Sequence, residues 1–369
     1  MDFDLTELQT LLLNSAGKFL ENEVRGVIRE VEKSDEGYSS DVWQKMAELG
    51  WLGVVFPEEY GGIDGDFTDL AVLVEEMGKS LFPGPYIPTL ISGLAILEYG
   101  SKAQKDQFLA DLITGDLIIS PAILAPDQAM GASQVKEKII QKDGKFIVSG
   151  TRLFAPFAHV AHWLLYLAHT DQGPAVMLID AKTSGVSLTA LDSIGVNKPC
   201  EVLLEDVTVT GDKILGEIGQ GSEIIGKLEA WGAFAESAYI AGMLEQILKM
   251  SVEYAKEREQ FDKQIGTFQA IQHKCADMAT DVDQVKFLTY EAAWKLSRKM
   301  PAAKEISMAK SWASDASRRV AFVGVMIHGG NGVSEEHDMQ LYFRRTKSSE
   351  VTFGDGDFHR EIIAQELGL

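Results

Sequence analysis

The sequence predicts a mainly α protein with a β domain in its middle: an N-terminal helical domain, a middle antiparallel β domain and a C-terminal four-helix bundle. Three observations point there. Apolar residues repeat near the helical period as far as residue 117. Short β-rich runs, spaced by about ten residues, then take over up to residue 220. Long helical patterns fill the remainder, enough for a bundle. The expected domains are therefore 1–117, 118–220 and 221–369.

Thr6 and Gln9 have the spacing of a capping box, and Leu8, Leu11, Leu12, Phe19 and Leu20 carry a helix on towards Val31. Val42, Trp43, Met46 and Leu49 mark a second helix, stopped at Gly50. Asp69 to Leu81 and Lys102 to Ile113 read as two more, separated by a Pro-rich bend at 83–88. Strands are expected at Ile118 to Ser120, Phe146 to Val148, Trp163 to Leu167, Ala175 to Ile179, Val186 to Leu188 and Val202 to Val209. Asp143-Gly144 and Asp171-Gln172-Gly173 are the turn signals between them. After the connector Gly216 to Gly221 come helical patterns at 222–256, 268–300, 303–328 and 335–348.

With 55 Asp+Glu against 34 Lys+Arg the chain carries a formal charge of −21, which argues against nucleic acid and anionic membrane as partners. The most hydrophobic region, Leu81 to Leu97, is interrupted by Pro83, Gly84, Pro85 and Pro88, so no membrane span is expected. An acidic start, Met-Asp-Phe-Asp-Leu, is unlike a basic leader and predicts a soluble, cytoplasmic protein. Cys200 and Cys275 are too few for a disulfide framework or a thiolate metal cage.

Gly221 to Lys227 has P-loop spacing, but Leu228 stands where Mg²⁺ would need a hydroxyl, and no clear strand of an α/β sheet precedes it. His159 and His162 lack a third metal ligand nearby and read as histidines at a turn. More telling are Arg258-Glu259-Gln260-Phe261 after one long helix and His328-Gly329-Gly330-Asn331-Gly332 after another. A helix–helix turn explains one glycine better than three, and such a run lets backbone amides approach a ligand closely.

These segments, with Glu48-Leu49-Gly50-Trp51-Leu52-Gly53 continuing to Tyr60-Gly61-Gly62, the connector Leu215 to Gly221 and the block from Val333 to Arg345, resemble the acyl-CoA dehydrogenase family over nearly the whole chain. The resemblance implies a tetramer that binds FAD and removes two hydrogens from the α and β carbons of an acyl-CoA thioester. It also implies that Arg258, Gln260, Phe261, Gly329 and Gly330 reach across a subunit interface to a neighbour's FAD. A cation and backbone amides suit a pyrophosphate on physical grounds too.

Several positions depart from the family's pattern. Leu124-Ala125-Pro126 replaces T-E-P, Phe154-Ala155-Pro156 replaces W-I-T, and Met326 replaces a glutamine, so polar contacts to the cofactor are lost. Gly354 and Gly232 occupy the two positions where the family keeps its catalytic glutamate, and Ala233 follows where an arginine is usual. Glycine cannot abstract a proton, so no catalytic residue is assigned. Glu229, Glu236 and Asp355 are neighbouring carboxylates that read first as solvated charge. The pattern resembles the heterotetrameric branch of steroid side-chain degradation. It implies the degenerate partner in an α2β2 assembly with a second acyl-CoA dehydrogenase chain. The rivals are a self-sufficient homotetrameric enzyme with a relocated base, at Asp355 or Glu229, and a non-redox acyl-CoA-binding scaffold.

Overall fold

The computed structural model describes residues 5–126, 138–142, 144–195 and 197–369; Asp143 of the expected Asp143-Gly144 turn lies outside them. The chain opens with α1 (Glu7–Glu23), α2 (Ile28–Lys33), α3 (Ser40–Glu48), α4 (Phe67–Lys79), α5 (Tyr86–Tyr99) and α6 (Lys102–Ile113). Both hydrogen bonds of the Thr6/Gln9 capping box form. The first helix stops at Glu23 rather than continuing to Val31, and α2 follows a run of turn residues. The Pro-rich bend expected at 83–88 is in part the start of α5. Pro88 falls in the first turn, where its missing N–H has no intrahelical partner to lose, so the apolar run behind it stays helical and buried.

Strands β1 (Ile119–Ala122), β2 (Lys138–Lys142), β3 (Lys145–Pro156), β4 (Trp163–Thr170), β5 (Gly173–Asp180), β6 (Val186–Ala190), β7 (Pro199–Thr210) and β8 (Ile214–Leu215) come next. They form two sheets, ordered β1-β4-β5-β8 and β2-β3-β7-β6. Pairing is antiparallel except between β1 and β4, which run parallel because the β2–β3 hairpin is interposed between them in the chain. The remainder is α7 (Gly221–Glu257), the two-residue strands β9 (Glu259–Gln260) and β10 (Lys263–Gln264), α8 (Gln269–Ser297), α9 (Ala303–His328), α10 (Met339–Val351) and α11 (Gly356–Glu366).

Two compact units result. One comprises Met1–Ile28, Asp66–Phe82 and Ala233–Leu369, the other Arg29–Gly65 and Pro83–Gly232. The first buries Ile240, Leu244 and Ile247 of α7 with Val282 and Val285 of α8 and Ala313, Ala316 and Val320 of α9. Removing apolar surface of this kind from water contributes roughly 25 cal/mol per Å². A buried carboxylate, Glu75 of α4, accepts from Lys286 Nζ at 2.8 Å and Tyr290 Oη at 2.9 Å and so ties α4 to α8. In the second unit, Trp51 of the Trp-Leu-Gly motif is buried and its carbonyl accepts from Tyr86 Oη at 2.9 Å. No helix among the described residues is long and apolar enough to cross a membrane.

Candidate functional site

Arg258 follows the last turn of α7. Its N–H still donates to Tyr254 at 2.8 Å, while its carbonyl accepts from Ile265. Tyr254 stacks on His328, the last residue of α9, with ring centroids 4.5 Å apart, and His328 Nδ1 donates to the Gly324 carbonyl at 2.8 Å. This stack holds the ends of α7 and α9 side by side, so Arg258 and Gly329-Gly330 share one end of the bundle. Gly329 has φ 58° and ψ −135°, a conformation that a side chain would oppose. A Cβ placed on Gly329 or Gly330 would meet nothing within 4 Å, so both glycines face open space. The Arg258 guanidinium is exposed and makes no ion pair among the described residues.

Gln260 and Phe261 sit on the β9–β10 hairpin beside Arg258. The turn residues Phe261 and Asp262 both have positive φ, which a two-residue hairpin of this twist requires. Holding a phenylalanine there is strained, and its ring is 85% exposed with an edge contact to Phe268. A free cation, glycine backbone open to the outside and an exposed aromatic ring form a donor set suited to the pyrophosphate end of a dinucleotide.

The ring-side substitutions give no comparable set. The Leu124 carbonyl accepts from Leu153 N–H at 2.7 Å, Ala125 is buried, and Phe154 projects from a bulge in β3 with φ 58° and 58% exposure. Met326, half-exposed near the end of α9, has no side-chain N–H to offer. The residues present therefore fit the phosphate end of FAD, and these four positions provide no side-chain donors for its ring.

Gly354 lies in the turn between α10 and α11 with φ 94°. A Cβ there would stand 2.3 Å from Phe358 Cδ1 and 2.9 Å from His359 Nε2, so the position has no room for a side chain. Its carbonyl accepts from the buried Lys310 ammonium at 2.7 Å. Asp355 is spent as the N-cap of α11, accepting the Phe358 N–H at 2.9 Å. The ring of His359 donates Nε2–H to the Phe353 carbonyl at 2.8 Å, and burial holds it down to about 4, neutral at physiological pH. Lys310 and Gly329 both belong to α9 or its end, 19 residues or about 28 Å apart along the axis.

Glu236, read from the sequence as solvated charge, is instead buried at 5% exposure, and its Oε2 has no hydrogen-bond partner. Burial pushes its carboxyl up to about 7, against the opposing effects of the Lys310 charge and the Ser349 hydroxyl. Burial likewise lowers Lys310 to about 8, against Glu236, Asp355 and Glu350. Lys310 itself was not anticipated. The available signal was its setting in α9, Ala309-Lys310-Ser311 inside an apolar stretch, and that of Glu236 after Ala233-Phe234-Ala235. Gly232 is buried in α7, while Glu229 is half-buried in the same helix.

Residues 6–116 match the family profile described as acyl-CoA dehydrogenase, N-terminal domain, and residues 219–368 match acyl-CoA dehydrogenase, C-terminal domain. The chain is 30% identical to probable acyl-CoA dehydrogenase YngJ of Bacillus subtilis, with 100% of both chains covered. Butyryl-CoA dehydrogenase from Megasphaera elsdenii has the same fold, with TM-score 0.93, 28% identity and 100% of both chains covered. A chain of the ChsE4-ChsE5 complex from Mycobacterium tuberculosis matches with TM-score 0.91 and 28% identity, over 100% of this chain and 99% of that one.

Proposed function

The chain belongs to the acyl-CoA dehydrogenase family, and from that premise we propose that it is the base-less subunit of a heteromeric, FAD-dependent acyl-CoA dehydrogenase. The observation that carries the proposal is the closure of Gly354. Where the family keeps a glutamate, this chain has a left-handed glycine blocked by Phe358 and His359. A vacant position could be refilled by one substitution. This one is occupied.

FAD supplies the hydride acceptor for α,β-dehydrogenation. This chain's own part is to bind and orient. Arg258 would pair with the pyrophosphate, and the Gly329-Gly330 backbone would lie against it. The exposure of both, with the roughly 28 Å between Lys310 and Gly329 along α9, favours lending this end to a cofactor held mainly by another chain. The general base, which takes the α-proton, would come from that second family member, as would the side-chain donors absent at Leu124, Ala125, Phe154 and Met326. Each hydrogen bond left unmade to a buried group costs about 1–3 kcal/mol, so the isolated chain should hold flavin weakly. The ChsE4-ChsE5 match, itself a complex of two named chains, supports the heteromeric form.

Flavin absorbance per chain tests the proposal. The expected result is well under one FAD per subunit alone, rising on co-purification with a family chain that carries a glutamate base. A yellow homotetramer with one FAD per chain overturns it.

A further inference from the structure

The turn that carries Gly354 hangs on one stripe of α9. Ser307, Lys310, Ser311 and Ser314 recur at i, i+3, i+4 and i+7, the spacing of a single helix face, and all four are buried. A buried face of a bundle helix is ordinarily apolar, so this stripe has another task. Ser307 Oγ lies 3.3 Å from His359 Nδ1, Ser311 Oγ donates to the Gly356 carbonyl at 3.2 Å, and Ser314 Oγ donates to the Glu350 carbonyl at 2.9 Å. Lys310 Nζ reaches Ser314 Oγ at 2.9 Å and the carbonyls of Ser349 at 3.2 Å, Glu350 at 3.0 Å and Gly354 at 2.7 Å. Two of those carbonyls belong to the last turn of α10, where helical partners have run out and a cation also suits the helix dipole. A single ammonium therefore closes α10 and anchors the turn.

The counter-charge is Glu236 of α7, one helical turn beyond Gly232. A buried pair of this kind is costly, because neither charge recovers the hydration it has lost, and apolar residues of similar volume often stabilise a fold more. Retention of the charge points to control of the turn rather than to stability. We propose that Lys310, with Glu236 as its counter-charge, is a charge-operated latch that positions the Phe353-Gly354 turn and thereby sets the affinity of this subunit for an acyl-CoA thioester. The second half rests on the proposed function, in which this turn borders the acyl-CoA site.

The groups that face Lys310 are Glu236 from α7, Glu350 from α10, Asp355 in the turn and the neutral His359 from α11. On the α8 side, Asp281 is engaged by Arg319. Losing the Lys310 proton removes a donor from these acceptors, so the turn should open as pH rises past about 8. Removing the Glu236 charge disfavours the ammonium further and should move that opening to lower pH.

The test is amide hydrogen exchange of residues 350–358 in the full chain between pH 6.5 and 9.5, normalised for intrinsic exchange, beside octanoyl-CoA titration of the co-purified complex. Lys310→Met should raise exchange of this segment by roughly tenfold at neutral pH, remove its alkaline step and weaken octanoyl-CoA by about fivefold or more. Glu236→Gln should keep the fold and shift the step down by about half a pH unit or more. This variant decides the matter should Lys310→Met not fold. An unmoved step in Glu236→Gln, or wild-type protection in Lys310→Met, overturns the latch. A latch that responds while octanoyl-CoA affinity stays constant overturns the positioning role. Failure of octanoyl-CoA to bind even the wild-type complex refutes the acyl-CoA reading separately, and the exchange data still judge the latch.

Discussion

Gly354→Glu, which puts the family's carboxylate back in its usual place, should not create a base in this chain. The native residue has φ 94°, and a residue with a Cβ in a left-handed conformation costs about 1–2 kcal/mol. Its Cβ would also stand 2.3 Å from the Phe358 ring and 2.9 Å from His359, whose ring is fixed between Ser307 and the Phe353 carbonyl. Overpacking of that kind costs about 1–3 kcal/mol. The two together come to roughly 2–5 kcal/mol, a large share of the roughly 5–15 kcal/mol typical of a folded domain. Urea unfolding should therefore show a clearly lower midpoint, and Gly354→Ala should be destabilised comparably, since the strain begins at Cβ. Dye reduction with octanoyl-CoA and added FAD should stay at background for both isolated variants. A Gly354→Glu chain with wild-type stability and new turnover would refute the steric argument and with it the closed base position.

Arg258→Ala should strip FAD from the assembled complex while leaving far-UV circular dichroism unchanged. A charge-assisted contact to phosphate contributes about 1.5–3 kcal/mol, or tenfold and more in affinity, and unchanged flavin retention on dilution would remove Arg258 from the site. Tyr254→Ala should loosen the same end by losing the stack on His328, about 0.5–1.5 kcal/mol beyond lost burial, with weaker flavin retention as the readout. Glu236→Gln should also change the pH dependence of stability. A carboxyl raised from 4.5 to about 7 gives stability that is complete below pH 4.5 and lost as pH rises through 7, worth about 3 kcal/mol. Unfolding measured from pH 4.5 to 8 should therefore show a steeper loss in the wild type than in Glu236→Gln, and parallel curves would show that Glu236 does not titrate there.

Much of this molecule can be read from residue order alone, because local rules act there unopposed. The Thr6/Gln9 box caps α1, and the Arg258 and Gly329 motifs stand at element ends where the backbone must turn. Prediction went astray where tertiary context overrides the local rule. Prolines at 83, 85 and 88 signal a bend, yet α5 forms because the apolar residues that follow are buried and Pro88 falls where no N–H is needed. The glycines at 354 and 356 hid α11, whose start is set by the Asp355 cap. Glu236 looks like one more acidic residue on an acidic chain. It is instead buried and feels the charge of Lys310, 74 residues further on, and no periodicity in α7 reports a partner in α9.

The location of the base can be measured without flavin chemistry, by following deuterium incorporation at the α carbon of octanoyl-CoA in D2O by mass spectrometry. A positioned base contributes about 10²–10⁴-fold to such proton transfer. Background exchange is expected for this chain alone, and rapid exchange when it is assembled with a family chain bearing a glutamate base. Asp355→Asn and Glu229→Gln in this subunit should leave that rapid exchange in place. Rapid exchange by the isolated chain, abolished by either substitution, would contradict the account and give this subunit a base of its own.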